Sequence, residues 1–372
     1  MNNQLCQTSL ALTTYALWGL TMSQPVTGAP LYSVTEIGNF SNYDFTNVKA
    51  INNKGEIVID AGVASGNGGF SQAFLYNNGK LQDLGSLSGS FNVPNGINDK
   101  SQVVGSSSDY NYIDNSFSGR AFLYSNGKLQ DLGSLGGRYN EATAINNNGQ
   151  IVGYSGTGPA GNGHSARAFL YSGGKLKDIG SLGGPLNVAT AINNNGQIVG
   201  YSGTVNQNSA RAFLYSSGKL QDLGSLGGPS NVATAINNKG QVIGYSGDGI
   251  LGSYSRAFLC SGGKLQDLGS LGGGLSFAFS INDKGQVVGD SNTNSQNQHA
   301  FLYSNGKLQD LNSLISPKSG VTLINATSIN DDGQIAATGS INNDAPNHAF
   351  LLTPSPLPRS RALSQKESEM LR

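Results

Sequence analysis

The chain has 372 residues, 53 of them Gly, and its 22 Lys and Arg balance its 22 Asp and Glu, so no net field exists to gather nucleic acid or anionic lipid. Charged residues make up 12% of the chain, about half of the ~25% norm, which marks it as turn-rich and weakly charged. Its two cysteines, Cys6 and Cys260, cannot build a disulfide framework or a metal cluster.

Residues 1–30 read as a signal or targeting segment. Leu5 to Met22 is apolar enough for a secretory h-region, and Thr27-Gly28-Ala29 supplies a small-residue cleavage pattern, although no Lys or Arg precedes Lys49. Export is expected, to the extracellular space or alternatively to the periplasm or cell surface. No other stretch approaches the ~18 apolar residues of a membrane span, so no integral membrane segment is expected.

From residue 31 to 354 the chain repeats one segment of about 45 residues, a period typical of propellers and solenoids. Ala-Phe-Leu recurs at Ala73, Ala121, Ala168, Ala212, Ala257, Ala300 and Ala349, and Ile-Asn at Ile51, Ile97, Ile145, Ile192, Ile236, Ile281 and Ile329. Each copy offers four short runs suited to strands. In the third full copy these are Arg167 to Tyr171, Lys175 to Ile179, Val188 to Asn193 and Gln197 to Tyr201. Asn78-Gly79, Asn126-Gly127 and Asn305-Gly306 join first to second runs as type I′ hairpins, and Asn-Asn-x-Gly turns join third to fourth runs. No window shows a sustained 3.6-residue apolar period, so the domain is all-β.

Apolar residues lie on both strand faces, as expected of a sheet packed between two neighbours. Ala189, Ala191, Ala233 and Ala235 make the third run small-sided and suited to the crowded inner edge. At the start, Val34 to Gly38 aligns with the second run Leu81 to Gly85, while the last strand, Ala349 to Leu352, is a first run. The two fragments complete one another, so the reading is a seven-bladed β-propeller of 28 strands, four antiparallel strands per blade. The expected order is third, fourth, first and second run from axis to rim, with Val34 to Gly38 closing the last blade from outside; Ala-Phe-Leu innermost is the alternative. Residues 355–372 read as a disordered, Pro-rich and charged tail.

Asp83, Asp131, Asp178, Asp222, Asp267 and Asp310, with Glu36 in the equivalent slot, form one recurring acid. Asn52, Asn98, Asn146, Asn193, Asn237, Asn282 and Asn330 form a second ring. Either could bind cations, and calcium is the one metal considered, but hydrogen bonding to turn amides is the expected role of both. No catalytic residue, metal ligand or cofactor is assigned. The histidines, His164, His299 and His348, form no recognisable catalytic or zinc-ligand pair in sequence.

Variation concentrates in the fourth-to-first-run connections, which should emerge on one face. The longest carries Asp109, Tyr110, Tyr112, Asp114 and Phe117; others carry His164 and Tyr254. Tyr and small polar residues are what adaptable recognition loops use, so these seven are the candidate binding residues.

The combined motifs resemble the HAF-repeat family of extracellular bacterial proteins, named for His-Ala-Phe beside Ile-Asn-x-x-Gly-x-x-Val-Gly and Asp-Leu-Gly-x-Leu-Gly-Gly. His-Ala-Phe itself persists only at His299-Ala300-Phe301 and His348-Ala349-Phe350; Arg120, Arg167, Arg211, Arg256 and Gln72 hold the first position elsewhere. The resemblance implies architecture and location but no reaction. The expectation is a non-enzymatic, monomeric extracellular module that binds a glycan or protein ligand on the variable-loop face, or serves as a structural component. The alternative is a polysaccharide-acting propeller hydrolase or lyase, calcium-assisted.

Overall fold

Period-2 alternation of apolar and β-branched residues, broken by Gly turns, forms strands close to the expected places. In the third copy they span Ala166–Ser172, Lys175–Asp178, Leu186–Ile192 and Ile198–Gly203. The computed structural model describes residues 31–356 except 39, 65–68, 112–115, 157–164, 204–208, 249–253, 343 and 345–347. The targeting segment and all but two residues of the tail therefore lie outside the described residues. Those described contain no α-helix, only the short 3-10 turns Leu311–Ser313 and Pro317–Ser319, and no helix long and apolar enough to cross a membrane.

The strands pair antiparallel in fours, in the order third, fourth, first, second run. One such quartet is Leu186–Ile192, Ile198–Gly203, Ala210–Ser216 and Lys219–Asp222. In the terminal quartet, Val321–Ile329, Ile335–Ile341 and His348–Pro354 are followed by the N-terminal strand Tyr32–Glu36. Glu36 stands opposite Phe350 as Asp222 stands opposite Phe213, so the first strand occupies a second-run place. It ends two residues earlier than the aligned segment Val34 to Gly38, because Ile37 leaves the ladder to bury its side chain completely and Gly38 turns the chain at φ 79°. Ile37 N–H still donates to Ala349 O at 2.9 Å.

Quartets pack face to face. One apolar cluster joins Val152, Ala168 and Ile179 of one quartet to Ala189, Ile192, Ile198 and Phe213 of the next. Phe122, Phe169, Phe213, Phe258, Phe301 and Phe350 are all fully buried, each contributing roughly 1.5–3 kcal/mol of transfer free energy. The Gly of Ile-Val-Gly-Tyr follows from this packing: a Cβ on Gly200 would lie 2.0 Å from Val188 O and 2.8 Å from Phe213 Cζ. The first-to-second-run hairpins take positive φ at both central residues, Asn78 at 47° and Gly79 at 83°, in keeping with type I′ turns.

The inner, third-run strand carries a feature that the sequence did not announce. Its register shifts between Ala189 and Ala191, leaving Thr190 as the extra residue of a β-bulge. The Thr190 hydroxyl donates to Ala233 O, in the next inner strand, at 2.8 Å, with Val199 O a second, longer acceptor at 3.1 Å. Thr143 reaches Ala189 O in the same way at 2.7 Å, and Thr234 reaches Ala278 O at 2.8 Å. The bulge thus re-aims one side chain per strand toward its neighbour.

Candidate functional site

The turns between third and fourth runs assemble around a cavity of about 180 Å³, lined by the Ile-Asn-Asn and Ile-Asn-Asp triplets from Ile51 to Asp331. Asn193 shows how each works. Its Oδ1 accepts the N–H groups of Asn195 and Gln197 at 3.1 and 3.0 Å, closing its own turn. Its Nδ2 donates to Asn237 O at 3.0 Å, in the next turn. The donation passes from Asn52 through Asn98, Asn146, Asn193, Asn237 and Asn282 to Asn330, and from Asn330 back to Asn52. The expected turn capping is present, and with it a link between quartets.

A second circuit, not foreseen, runs through the following residue. Each backbone N–H of Asn53, Asp99, Asn147, Asn194, Asn238, Asp283 and Asp331 donates to the Oδ1 of the next, with Asp331 returning to Asn53. Among the described residues no group of three His, Cys, Asp or Glu side chains is placed to hold a metal ion.

The recurring acid also has two tasks. Asp222 Oδ1 accepts the Gly224 N–H at 2.9 Å, as expected, while its Oδ2 accepts from Arg211 Nε at 2.8 Å. Asp131, Asp178 and Asp267 face Arg120, Arg167 and Arg256 at 3.6, 3.9 and 3.5 Å. In two quartets a histidine takes the arginine's place: His299 Nδ1 lies 2.7 Å from Asp310, and His348 Nδ1 lies 2.7 Å from Glu36. His299 and His348 thus pair with carboxylates that sequence spacing did not reveal, because partners eleven residues apart, or at opposite ends of the repeat array, meet across adjacent strands. The pairing follows the repeat, so it reads as an edge contact of the fold. A basic residue before Ala-Phe-Leu and an acid across the hairpin were its sequence signal.

Of the candidate binding residues, Tyr112, Asp114 and His164 lie outside the described residues, as does the side chain of Phe117. Asp109 is exposed and Tyr110 half-buried. Tyr110 faces Phe117 across the hairpin of Val103–Asn111 and Ser116–Ser125. Tyr254 is 48% exposed, its ring 5.6 Å from the Arg256 guanidinium, in another quartet. The described candidates therefore do not converge on one cluster.

The hairpin itself is distinctive: its strands of nine and ten residues are the longest fourth-and-first-run pair, against six and seven in the following quartet. At its base is a cavity of about 460 Å³ lined by Ser118, Arg120, Asp131, Arg138 and Asn140. Arg138 was not singled out from sequence, although it stands where other copies have Pro185 and Pro229. Beside it, Glu141 replaces the valines Val188 and Val232. The Glu141 carboxylate accepts from Tyr139 and Tyr154 hydroxyls at 2.8 and 2.9 Å and from Asn95 Nδ2 at 3.0 Å. Burial, reinforced by that carboxylate, pushes both phenols well above their ordinary range.

No protein-family model matches the chain, and no curated protein is similar to it. Solved structures are similar in fold. The β-propeller domain of the Trilobed protease from Pyrococcus furiosus, described as having an open velcro topology, superimposes with a TM-score of 0.53 at 8% identity, over 84% of this chain and 97% of that one. Acylaminoacyl peptidase from Pyrococcus horikoshii matches at 0.50 and 9% identity; 88% of this chain is covered but only 55% of the peptidase. YCF48 bound to D1 peptide matches at 0.50 and 9% identity, over 91% of this chain and all of that one. This chain is an all-β protein of the β-propeller type.

Proposed function

We propose that the chain is a seven-bladed propeller closed between its first and last strands. In this reading it acts outside the cell as a non-enzymatic, monomeric binding module of the HAF-repeat type. Closure draws support from the asparagine circuit that returns to Asn52 and from the pairing of Tyr32–Glu36 with His348–Pro354. The ligand is a glycan or protein held on the variable-loop face. The observation that carries this is the lengthened hairpin standing over a pocket with the Arg120 and Arg138 guanidiniums in its wall. Two guanidiniums suit a carboxylate-bearing ligand, whether an acidic sugar or an acidic peptide.

The test is an array of acidic and neutral glycans and acidic peptides, probed with the full chain and with two variants. Replacing 109–117 by a short turn, and Arg138→Ala, should each weaken capture of acidic probes at least tenfold, roughly 1.4 kcal/mol, with the fold retained. Capture unchanged in both variants rejects the site.

A second reading, a hydrolase or lyase acting on polysaccharide with calcium, draws on the peptidases among the fold's neighbours. It requires turnover: release of reducing ends from polysaccharide, sensitive to chelator. Binding without product formation rules it out.

A further inference from the structure

The bulge residue of the inner strand ties each strand to the next in part of the molecule and abandons that role in the rest. Thr143, Thr190 and Thr234 donate to the following inner strand, and Asn95 does the same through Nδ2 to Ala142 O at 3.0 Å. The three remaining bulge positions are Phe279, Thr327 and Lys49. Phe279 has no side-chain donor to offer, Thr327 keeps only the bond to Ala336 O of its own quartet, at 3.3 Å, whose equivalent Thr143, Thr190 and Thr234 also make beside their link to the next strand, and Lys49 pairs with Asp60 at 3.2 Å. These three lie on neighbouring inner strands, Gly272–Ile281, Val321–Ile329 and Phe45–Ile51, and there a cavity of about 290 Å³ opens.

Apart from Thr327, its wall is built of groups that the repeat does not require. Asn47, Lys49, Phe279, Asn325, Thr327 and Thr338 line it. The Lys49 charge is matched by the buried Asp60, which does not line the cavity but also accepts from Asn47 Nδ2 at 3.2 Å, so the wall carries no unbalanced charge. Asn325 Oδ1 is buried without a hydrogen-bond partner, a costly state for an amide. Phe279 supplies an apolar face, stacked at 4° on Phe277.

We infer that this inner-strand pocket is a second binding site, for one neutral, hydroxyl-rich ring of monosaccharide size. An aromatic face for the C–H side of such a ring, with an ammonium, amides and hydroxyls at its rim, is the complementary arrangement. The volume is at the lower end of the ~300–1,000 Å³ of small-molecule sites, which suits one ring rather than a buried chain. The neutral lining disfavours an anion, in contrast to the Arg120 and Arg138 pocket. The inference is independent of the function proposed above, since no residue is shared between the two sites.

Saturation-transfer NMR on the full chain with glucose, galactose, mannose and N-acetylglucosamine tests it, with glucuronate as the anionic comparison. At least one neutral sugar should bind with a Kd of about 1 mM. Asn325→Leu should weaken it at least tenfold while leaving the melting temperature equal or higher, because an unpaired buried polar group is removed. Phe279→Ala should abolish binding and Phe279→Tyr retain it, while Arg138→Ala leaves it untouched. No binding of any neutral sugar, tighter binding of glucuronate, or full binding by Asn325→Leu would each overturn the inference.

Discussion

Asn330 Nδ2 donates to the backbone carbonyl of Asn52 at 3.0 Å, across 278 residues of sequence. The same bond, at the same length, joins Asn193 to Asn237, 44 residues apart. The contact between Asn330 and Asn52 therefore has the geometry of the contact between two successive turns. Asn330→Asp removes the donor and leaves buried acceptors facing each other, at an expected cost of about 1–3 kcal/mol. Asn193→Asp should cost the same within error in urea unfolding. A much smaller loss at Asn330 than at Asn193 would mean that the ends are not joined in solution.

Gly200→Ala should destabilise by roughly 1–3 kcal/mol, since its methyl would overlap Val188 O and press on Phe213. Thermal unfolding measures this, and a neutral effect would show that the blade face is looser than the contacts imply.

Ser217 holds φ 51° in a turn where Asn or Gly stands in every other first-to-second-run hairpin within the chain. Ser217→Asn keeps the turn and suits that conformation better, so a gain of about 0.5–1 kcal/mol is expected. A lower melting temperature would contradict the turn assignment.

Asp290 carries a pH dependence. Burial raises its carboxyl pKa to about 6 from the ordinary 3.8, opposed in part by a hydrogen bond from Gln298. Between these values the folded protein keeps a proton that the unfolded chain releases, so its contribution to stability is greatest below about pH 4 and falls as pH rises toward 6. A shift of this size corresponds to roughly 3 kcal/mol at most. Asp290→Asn should flatten that part of the stability profile and raise stability at pH 7; an unchanged slope would show that another group titrates there.

Much of the architecture was legible because its causes are local. Alternation in Arg167 to Tyr171, Asn-Gly at Asn78-Gly79 and the small residues Ala189 and Ala233 each act within a few residues, and each recurs in several copies. Small side chains at the crowded edge favoured one of two strand orders, which the strand pairing then decided, and the place of Tyr32–Glu36 came from matching one fragment to another. The site was less legible. Tyr112, Asp114 and His164 were chosen by composition, which marks a loop as adaptable without saying what it approaches. Arg138 and Glu141 were detectable only as departures from neighbouring copies, and Phe279 only once the bulge was known.

The amino-acid sequence by itself determined the repeating unit, its all-β character and the turn at each hairpin, because these depend on side-chain alternation and backbone preference over short spans, while it left two strand orders open. The tertiary structure alone decided which groups meet across quartets: the two hydrogen-bond circuits, the arginine and histidine partners of the recurring acid, and the cavity where Lys49, Phe279 and Thr327 converge. Those meetings join residues tens or hundreds of positions apart. They are governed by how one packed sheet sits against the next, a geometry that no short stretch of chain encodes.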